Sequence, residues 1–284
     1  MIAGVTILVL LAGVAIFLIG ESVPAVTANS ADLPDGKSVL SYVAPLVFGT
    51  LLAATMAVIV AVPLAVAVAL FITHIAPKRL AQPLGYIVDL LAAIPSIVYG
   101  LWGIFVIGPA AVPVMDWLEQ HLGFIPLFAG PASPTGRTML VVTIVLAVMI
   151  LPIVSAVARE VFSQTPRRLQ EGALALGATR WEMIRMTVLP FGKSAVISGS
   201  MLGLGRALGE TMAVAIILSA SGVVTFNLIS SSNSSTIAAN IALNFPESSG
   251  IAVNVLIFTG LVLFGITLVV NMIARLIIAR SNVQ

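Results

Sequence analysis

Two charged residues, Arg206 and Glu210, interrupt a long apolar stretch of this 284-residue sequence. Their spacing of four places both side chains on one face of a helix, where they are able to form an ion pair. An ionised side chain at mid-membrane costs at least roughly 2.5–3.5 kcal/mol, so such residues usually face a protein interior or a water-filled path. The alternative is an ion pair that only holds helices together, but a charged guanidinium among glycines is a costly way to do so. Because Arg presents five donors in a planar fork suited to phosphate or carboxylate, the sequence predicts an oxyanion ligand.

A second candidate group surrounds Pro95, in the run 93–103. Proline interrupts helical hydrogen bonding, Ser96 is able to bond a freed carbonyl, and Tyr99 lies about one turn further along. Lining a substrate path and repairing a kink are both open roles for Ser96 and Tyr99. Asp89, earlier in the same stretch, is predicted to pair with a basic residue at the cytoplasmic rim.

The composition excludes several classes of protein. Hydrophobic residues make up 60% of the chain and charged residues only 8%, whereas about a quarter of the residues of a soluble domain are charged. The mean hydropathy of +1.16 excludes an intrinsically disordered chain. With no cysteine and two histidines, the sequence predicts no disulfide, no metal site and no cysteine nucleophile. It also contains no grouping of residues typical of an enzyme active site.

The elements that must position these residues are six predicted transmembrane helices. About 20 apolar residues cross a bilayer, and an open backbone is not tolerated in lipid, so the predicted fold class is an all-α integral membrane protein. In the fifth span, the pairs Gly199/Gly203 and Gly205/Gly209 predict close packing against a neighbouring helix. The spans cover approximately residues 2–20, 43–73, 84–112, 138–158, 194–222 and 251–274.

The distribution of Lys and Arg predicts the orientation in the membrane. Of the thirteen basic residues, ten fall in one set of loops and only Lys37 and Arg137 in the other, with Arg206 inside a span. The positive-inside rule therefore places both termini in the cytoplasm. The first span is interpreted as a retained helix and not as a signal peptide. No basic residue precedes it, so whether a native N-terminal tail is missing before Met1 is left open.

The longest cytoplasmic connection, residues 159–193, contains its own helix signals. Thr165 and Pro166 predict a helix start and Gly177 a helix stop. Thr179 and Glu182 form a predicted capping box, and Pro190 is expected to end the second helix. The predicted helix-turn-helix either lies on the lipid headgroups or docks a partner.

This loop resembles the signature of ABC-importer permeases, Glu-Ala-Ala-x3-Gly-x9-Ile-x-Leu-Pro. The spacing matches throughout, with Gly172 in place of the first Ala and Thr187 in place of the Ile. The resemblance implies the type I ABC-importer permease fold, with six transmembrane helices and a coupling helix between spans 4 and 5. It also implies a partner ATPase, which carries ATP and Mg, so no cofactor is expected on this chain. The predicted coupling residues are Glu171, Gly172, Ala173, Gly177, Thr179, Trp181, Glu182, Leu189 and Pro190.

A narrower resemblance rests on the stretch 203–214, Gly-Leu-Gly-Arg-Ala-Leu-Gly-Glu-Thr-Met-Ala-Val, together with the run 93–103. Both are similar to the PstC family of phosphate-importer permeases. In that family the two charged residues are linked to phosphate passage, which implies a translocation role for Arg206 and Glu210, with Ser96 and Tyr99 as further candidates. We hypothesise that Glu210 partly neutralises Arg206 until phosphate displaces the carboxylate.

The same resemblance implies the partners and location of the chain. They are a second permease of the PstA type as a heterodimer, two copies of a PstB-like cytoplasmic ATPase, a PstS-like external phosphate-binding protein and membrane lipids, with no nucleic acid. The expected location is the bacterial plasma membrane. The predicted regions are an N-terminal helix and external loop (1–42), a permease core (43–277) with a coupling loop (159–193), and a cytoplasmic tail (278–284).

Three alternatives remain at this point. The substrate is another oxyanion such as sulfate, or the chain is the sister permease PstA, or it is a polytopic membrane enzyme or channel. A channel would not need the docking loop, and an enzyme would need a reactive group of residues near one interface.

Overall fold

The structure is a computed structural model, and it describes residues 2–28, 36 and 38–281. Lys37, Met1 and residues 282–284 of the predicted tail lie outside the described residues. Within the described ranges the chain is helical, with one isolated bridge between Ala220 and Asn233. The helices are α1 (Ile2–Thr27), α2 (Val39–Leu70), α3 (Lys78–Ala92), α4 (Ser96–Trp102), α5 (Gly108–Leu122), α6 (Met139–Ser163), α7 (Arg167–Ala175), α8 (Arg180–Met183), α9 (Leu189–Leu208), α10 (Met212–Ile217), α11 (Ile237–Asn244) and α12 (Ile251–Ser281).

Five helices of the described chain are long and apolar enough to cross a membrane. Three π-helical turns, at Phe71–Ile75, Gly103–Ile107 and Ile184–Val188, extend or join α-helices without a break. The five candidate spans are Gly4–Thr27, Val39–Ile75, Ser96–Leu122, Met139–Ser163 and Ile251–Leu276. These five correspond to the predicted spans 1, 2, 3, 4 and 6.

The third predicted span, 84–112, has the wrong boundaries. Its first part belongs to α3, a separate amphipathic helix, and the apolar crossing helix begins at Ser96. The cause is Pro95, which disfavours helical geometry at Ile94 and lacks the amide hydrogen that a continuing helix needs. The helix therefore ends at Ala92 and restarts at Ser96.

The fifth predicted span, 194–222, is divided. Helix α9 ends at Leu208 and α10 begins at Met212, so the span is not one continuous helix. Helix α9 is less apolar than the five candidate spans because it contains Lys193, Arg206 and many glycines and serines. The count of six spans is therefore not reached by continuous apolar helices in the described chain.

The chain divides into two compact units. The first unit contains Met1–Ala53, Gly100–Val142 and Glu210–Val269, and the second contains Ala54–Tyr99, Thr143–Gly209 and Val270–Gln284. In the first unit, the end of α1 packs on the start of α12 through Ala25 and Val255. In the second unit a buried cluster joins α2, α6, the end of α8 and the π-helical turn that follows it. It consists of Ala69, Leu70, Ala158, Phe162, Met183, Ile184 and Val188.

Polar residues of the first unit order the connection between α10 and α11. The Asn227 carboxamide accepts hydrogen bonds from the amides of Ile229 and Ser230 at 3.0 and 3.1 Å. Its Nδ2 donates to the Gly130 carbonyl at 3.1 Å. These bonds replace a regular element, so the connection is held in place by side chains.

Candidate functional site

The glycine-rich helix α9 packs against α6 on one face only. A Cβ at Gly203 would lie 3.0 Å from Val154 Cγ2, and one at Gly199 would lie 3.1 Å from Val157 Cβ. The predicted close packing of this glycine pair is therefore confirmed. At Gly205 a Cβ would meet no group of the described chain within 4 Å, and at Gly209 only its own helix. For the second pair, a Cβ meets no neighbouring helix of the described chain, so close packing of this pair stays a prediction.

Arg206 and Glu210 do not share a helical face, and the predicted ion pair is wrong. Helix α9 ends at Leu208, and Glu210 lies in the non-helical junction before α10. The Glu210 carboxylate instead accepts a hydrogen bond from the Ala213 amide at 3.2 Å. Each charge thereby lies at the helix end that its sign favours, Arg206 in the last turn of α9 and Glu210 beside the first amides of α10.

Arg206 is exposed, next to the open side of Gly205. Among the side chains that the structure describes, it pairs with no carboxylate. The hypothesis that Glu210 neutralises this guanidinium is withdrawn for the same geometric reason. The guanidinium fork therefore remains available to an anion.

Tyr99 repairs the helix break at Pro95. Its hydroxyl donates to the Leu91 carbonyl at 2.7 Å, across the break, and the side chain is only 5% exposed. The structure therefore assigns to Tyr99 the kink-repairing role that the sequence leaves open for Ser96 and Tyr99. Ser96 is the half-buried first residue of α4, and its role in a path stays a prediction.

The predicted partner of Asp89 is Arg159. Its guanidinium donates to the Asp89 carboxylate, which confirms that Asp89 pairs with a basic residue. Gly85 makes this possible, because a Cβ there would lie 2.6 Å from Arg159 Nη1. The pair joins α3 to the end of α6.

The cytoplasmic loop contains the predicted helix-turn-helix, with one change at its start. Helix α7 begins at Arg167 after Pro166, and Thr165 does not cap it. The Thr165 hydroxyl is buried without a hydrogen-bond partner, so the predicted cap is wrong. Thr165 contributes its carbonyl instead, which accepts from Gln170 Nε2 at 3.0 Å.

The turn between α7 and α8 follows the prediction. Gly177 has a φ of +88°, and the Ala178 amide donates to the Ala173 carbonyl at 3.1 Å. The Gly177 amide donates to the Leu174 carbonyl at 3.0 Å, which completes a Schellman ending. A glycine is favoured here because only it adopts this conformation without strain.

The capping box of α8 is also confirmed. The Glu182 carboxylate accepts from the Thr179 amide at 2.7 Å, and the Glu182 amide donates to Thr179 Oγ1 at 3.3 Å. Hydrogen bonds first from the Thr179 backbone amide and then from its hydroxyl lower the pKa of Glu182. Since the pKa is lowered, the cap is intact at neutral pH and is lost only as pH falls through that value.

Pro190 does not end the second helix. The helical backbone runs from Arg180 through the π-helical turn Ile184–Val188 into α9. In that turn the Leu189 amide donates to Ile184, five residues back, so Pro190 lies where the hydrogen-bond register has been widened. The missing amide and the ring of Pro190 are accommodated there, and the prediction of a helix end is wrong.

The predicted coupling residues divide by burial. Ala173 and Leu189 pack toward the buried cluster of the second unit. The other seven are exposed, namely Glu171, Gly172, Gly177, Thr179, Trp181, Glu182 and Pro190. Large apolar side chains accompany them, since Leu176 is 91% and Trp181 60% exposed. A cavity of about 440 Å³ next to this surface is bounded by Thr73, His74, Leu174, Arg180 and Trp181, among others.

Sequence reasoning missed the place of Arg137. Its Nε and Nη2 donate to the carbonyls of Ile217 and Ile216 at 3.4 and 3.5 Å, at the end of α10. The guanidinium therefore compensates the C-terminal carbonyls of that helix. No local signal marks this contact, because the partners lie 79 and 80 residues away in the sequence.

Comparisons with known proteins cover most of the chain. Residues 62–283 match the family model described as binding-protein-dependent transport system inner membrane component. The phosphate transport system permease protein PstC 2 of Mycobacterium tuberculosis is 46% identical, over 97% of this chain and 88% of that protein. PstC of Mycobacterium leprae is 44% identical, over 93% of this chain and 86% of that protein. A solved bacterial ABC transporter involved in alginate import has a similar fold, with a TM-score of 0.61, 16% identity, and 84% of this chain and 79% of that chain covered.

Proposed function

Since the chain belongs to the family of binding-protein-dependent transport system inner membrane components, we propose that it is the phosphate permease subunit of an ATP-driven importer. The observation that supports phosphate as the substrate is the 44–46% identity, over almost the whole chain, to proteins named phosphate transport system permease PstC. The chain is a transporter subunit and not an enzyme. Its five apolar helices fit a multi-pass protein of the inner membrane.

The proposed substrate contact is Arg206. Its guanidinium is exposed, unpaired with any described carboxylate, and adjacent to a glycine face with no neighbouring atoms. A planar fork of donors suits a tetrahedral oxyanion. Tyr99 holds α3 and α4 together across the break at Pro95, and Ser96 remains a second candidate contact. Glu210 is proposed to support Arg206 indirectly, by fixing the start of α10.

Two proposals complete the arrangement in the membrane. Helices α9 and α10 together form the sixth crossing, with a break at residues 209–211, and both termini face the cytoplasm. One such chain supplies half of the pathway, so a PstA-like second permease supplies the other half. A PstS-like external binding protein delivers phosphate to the pair.

The coupling surface is proposed to dock a PstB-like ATPase, one copy for each permease. The exposed Leu176 and Trp181 offer apolar contact, and the Schellman turn and capping box keep the short helices rigid. ATP and Mg would be bound by that partner.

The test is labelled phosphate uptake by cells that lack other phosphate importers and express this chain with its three partner types. We expect uptake that stops when the ATPase is inactivated and that excess unlabelled sulfate does not reduce. An assembled, ATP-hydrolysing complex that takes up no phosphate would contradict the proposal. Uptake of sulfate in its place would support the alternative oxyanion.

A further inference from the structure

A polar cavity of about 260 Å³ lies in the first unit. Its walls are the start of α2, the segment after α10, and α11. Its polar lining is Ser41, Tyr42, Ser221, Ser235, Asn240 and Asn244. One water occupies about 30 Å³ in the liquid, so the cavity has room for a five-atom oxyanion with several waters.

The walls of the cavity are held together by close contacts. Thr50 of α2 accepts a hydrogen bond from the Ile237 amide at 2.9 Å, at the start of α11. At Gly49 a Cβ would lie 2.3 Å from the Ser235 carbonyl oxygen, so the chains meet there without a side chain between them. On the third wall, the Ser221 amide donates to the Asn233 carbonyl at 2.9 Å. The cavity is therefore formed before any ligand arrives.

A directed chain of hydrogen bonds ends in this cavity. Asn244 Nδ2 donates to Asn240 Oδ1 at 2.9 Å, and Asn240 Nδ2 donates to Tyr42 Oη at 2.9 Å. In the part of the chain that the structure describes, the Tyr42 hydroxyl donates to no group, so its proton is left for a ligand. Such a chain polarises its last donor, and it favours a ligand that accepts a hydrogen bond from the Tyr42 hydroxyl.

The rest of the lining has the same preference. Ser235 is 6% exposed, and its hydroxyl makes one long bond, 3.4 Å, to the Thr236 carbonyl. No Asp, Glu, Lys, Arg or His is among the residues described around the cavity. An anion there would meet neutral donors without a repelling carboxylate, and without a cation that would hold it too tightly to be passed on.

We propose that this cavity is a transient binding site for the inorganic oxyanion, with Tyr42 as its principal donor. The site deepens the proposed function and rests on it. Because the surrounding segments are predicted to be extracytoplasmic, the site would receive phosphate from outside. Its neutral donors bind weakly enough for onward transfer.

The test uses the complete transporter in proteoliposomes with its external binding protein. We expect Tyr42→Phe to lower the maximal phosphate uptake by about tenfold, the low end for a hydrogen bond to a charged group. The half-saturating concentration of liganded binding protein and the assembly of the complex should not change. Tyr86→Phe is the matched control, because Tyr86 Oη also accepts from an amide, Gln82 Nε2 at 3.2 Å, on exposed α3. That control should transport like the unsubstituted complex.

A second variant tests the site independently, in case Tyr42→Phe lowers uptake by misfolding. Asn240→Asp keeps the shape of the side chain but places a carboxylate in the cavity, so uptake should fall further than in Tyr42→Phe. Gln82→Glu, at an exposed position of α3 outside the candidate membrane spans, is its control. If Tyr42→Phe does not assemble, Ser235→Ala is judged by the same uptake criterion.

Three results would overturn the site. Uptake by Tyr42→Phe equal to that of Tyr86→Phe would show that the donor is not used. Normal uptake by Asn240→Asp would show that no anion enters the cavity. A raised half-saturating concentration of binding protein at unchanged maximal uptake would identify the cavity as a protein-docking surface. Uptake by the unsubstituted transporter is measured first, so failure of the phosphate function is recognised separately.

Discussion

Two arginines of the second unit have opposite surroundings. Arg159 is paired with Asp89 and its side chain is only 17% exposed, whereas Arg206 is exposed and pairs with no described carboxylate. A paired arginine joins helices, and an unpaired one in an apolar protein is available to a ligand. The two residues therefore separate the structural use of a charge from the proposed transport use.

The Arg206→Gln variant is expected to assemble normally and to lose phosphate uptake by roughly 30-fold or more, since removal of a charged partner costs about 2–5 kcal/mol. Arg206→Lys should recover part of this loss, because it restores the charge without the planar fork. The measurements are uptake per assembled complex and ATP hydrolysis.

Arg159→Gln is the control for this experiment. It should lower thermal stability slightly, by at most about 1 kcal/mol for a partly exposed pair, and leave uptake per complex unchanged. Normal uptake by Arg206→Gln would remove this residue from the substrate path.

The sequence predicted the type of partner for Asp89, but it did not predict that Arg206 and Glu210 remain unpaired with each other. A spacing of four implies a pair only while the helix continues, and here it ends at Leu208. Gly209 was a readable sign of a helix end, because glycine commonly follows a helix C-terminus. The contact of Arg137 had no such sign, since it depends on folding across about 80 residues.

At the scale of elements, α9 has a packed glycine face and an open glycine face. Gly199 and Gly203 contact α6, and Gly205 contacts nothing within 4 Å in the described chain. Periodicity of small residues predicted close packing for both pairs. Only the folded chain shows which face has a neighbour, so the spacing of small residues does not distinguish the two pairs.

This difference predicts separate effects for two leucine substitutions. Gly203→Leu should destabilise the protein by about 1–3 kcal/mol, because the new side chain overpacks the contact with Val154 and Ile150. Gly205→Leu should leave thermal stability unchanged and reduce uptake, since it fills the open side next to Arg206. Thermal unfolding in detergent and uptake in proteoliposomes measure the two effects. Equal melting temperatures for both variants would contradict the assignment of the two faces.

Local signals predicted the coupling loop better than the membrane helices. Gly177 and the pair Thr179/Glu182 form the turn through local backbone conformation and capping hydrogen bonds, so their roles could be predicted from the sequence. The π-helical turns could not be predicted, because hydrogen bonds between residues five apart leave no pattern in the composition. That is why Pro190 was misread as a helix end.

At the scale of the whole molecule, the absence of cysteine makes the orientation directly measurable. Leu176 on the coupling loop is 91% exposed, and Phe124 in a predicted external loop is 81% exposed. Either position tolerates a cysteine without loss of core packing. Orientation was predicted from Lys and Arg alone, and chain-wide charge counts contain no information on packing.

Leu176→Cys is expected to react with a membrane-impermeant maleimide only in inside-out vesicles, and Phe124→Cys only in right-side-out vesicles. The unsubstituted chain, which has no thiol, should not react in either preparation. Reaction of Leu176→Cys from the outer side would reverse the proposed topology and would separate the coupling surface from a cytoplasmic ATPase.

The unbroken helical backbone from Arg180 to Leu208 has a mechanical consequence. No break in the helical backbone separates the proposed coupling surface from Arg206, so a displacement of one end is transmitted along the helix to the other. The π-helical turn Ile184–Val188 holds one extra residue, and its relaxation to α geometry would rotate the helix beyond it by about 100°. A change of a single turn near the cytoplasm would therefore redirect the guanidinium by more than a quarter of a revolution.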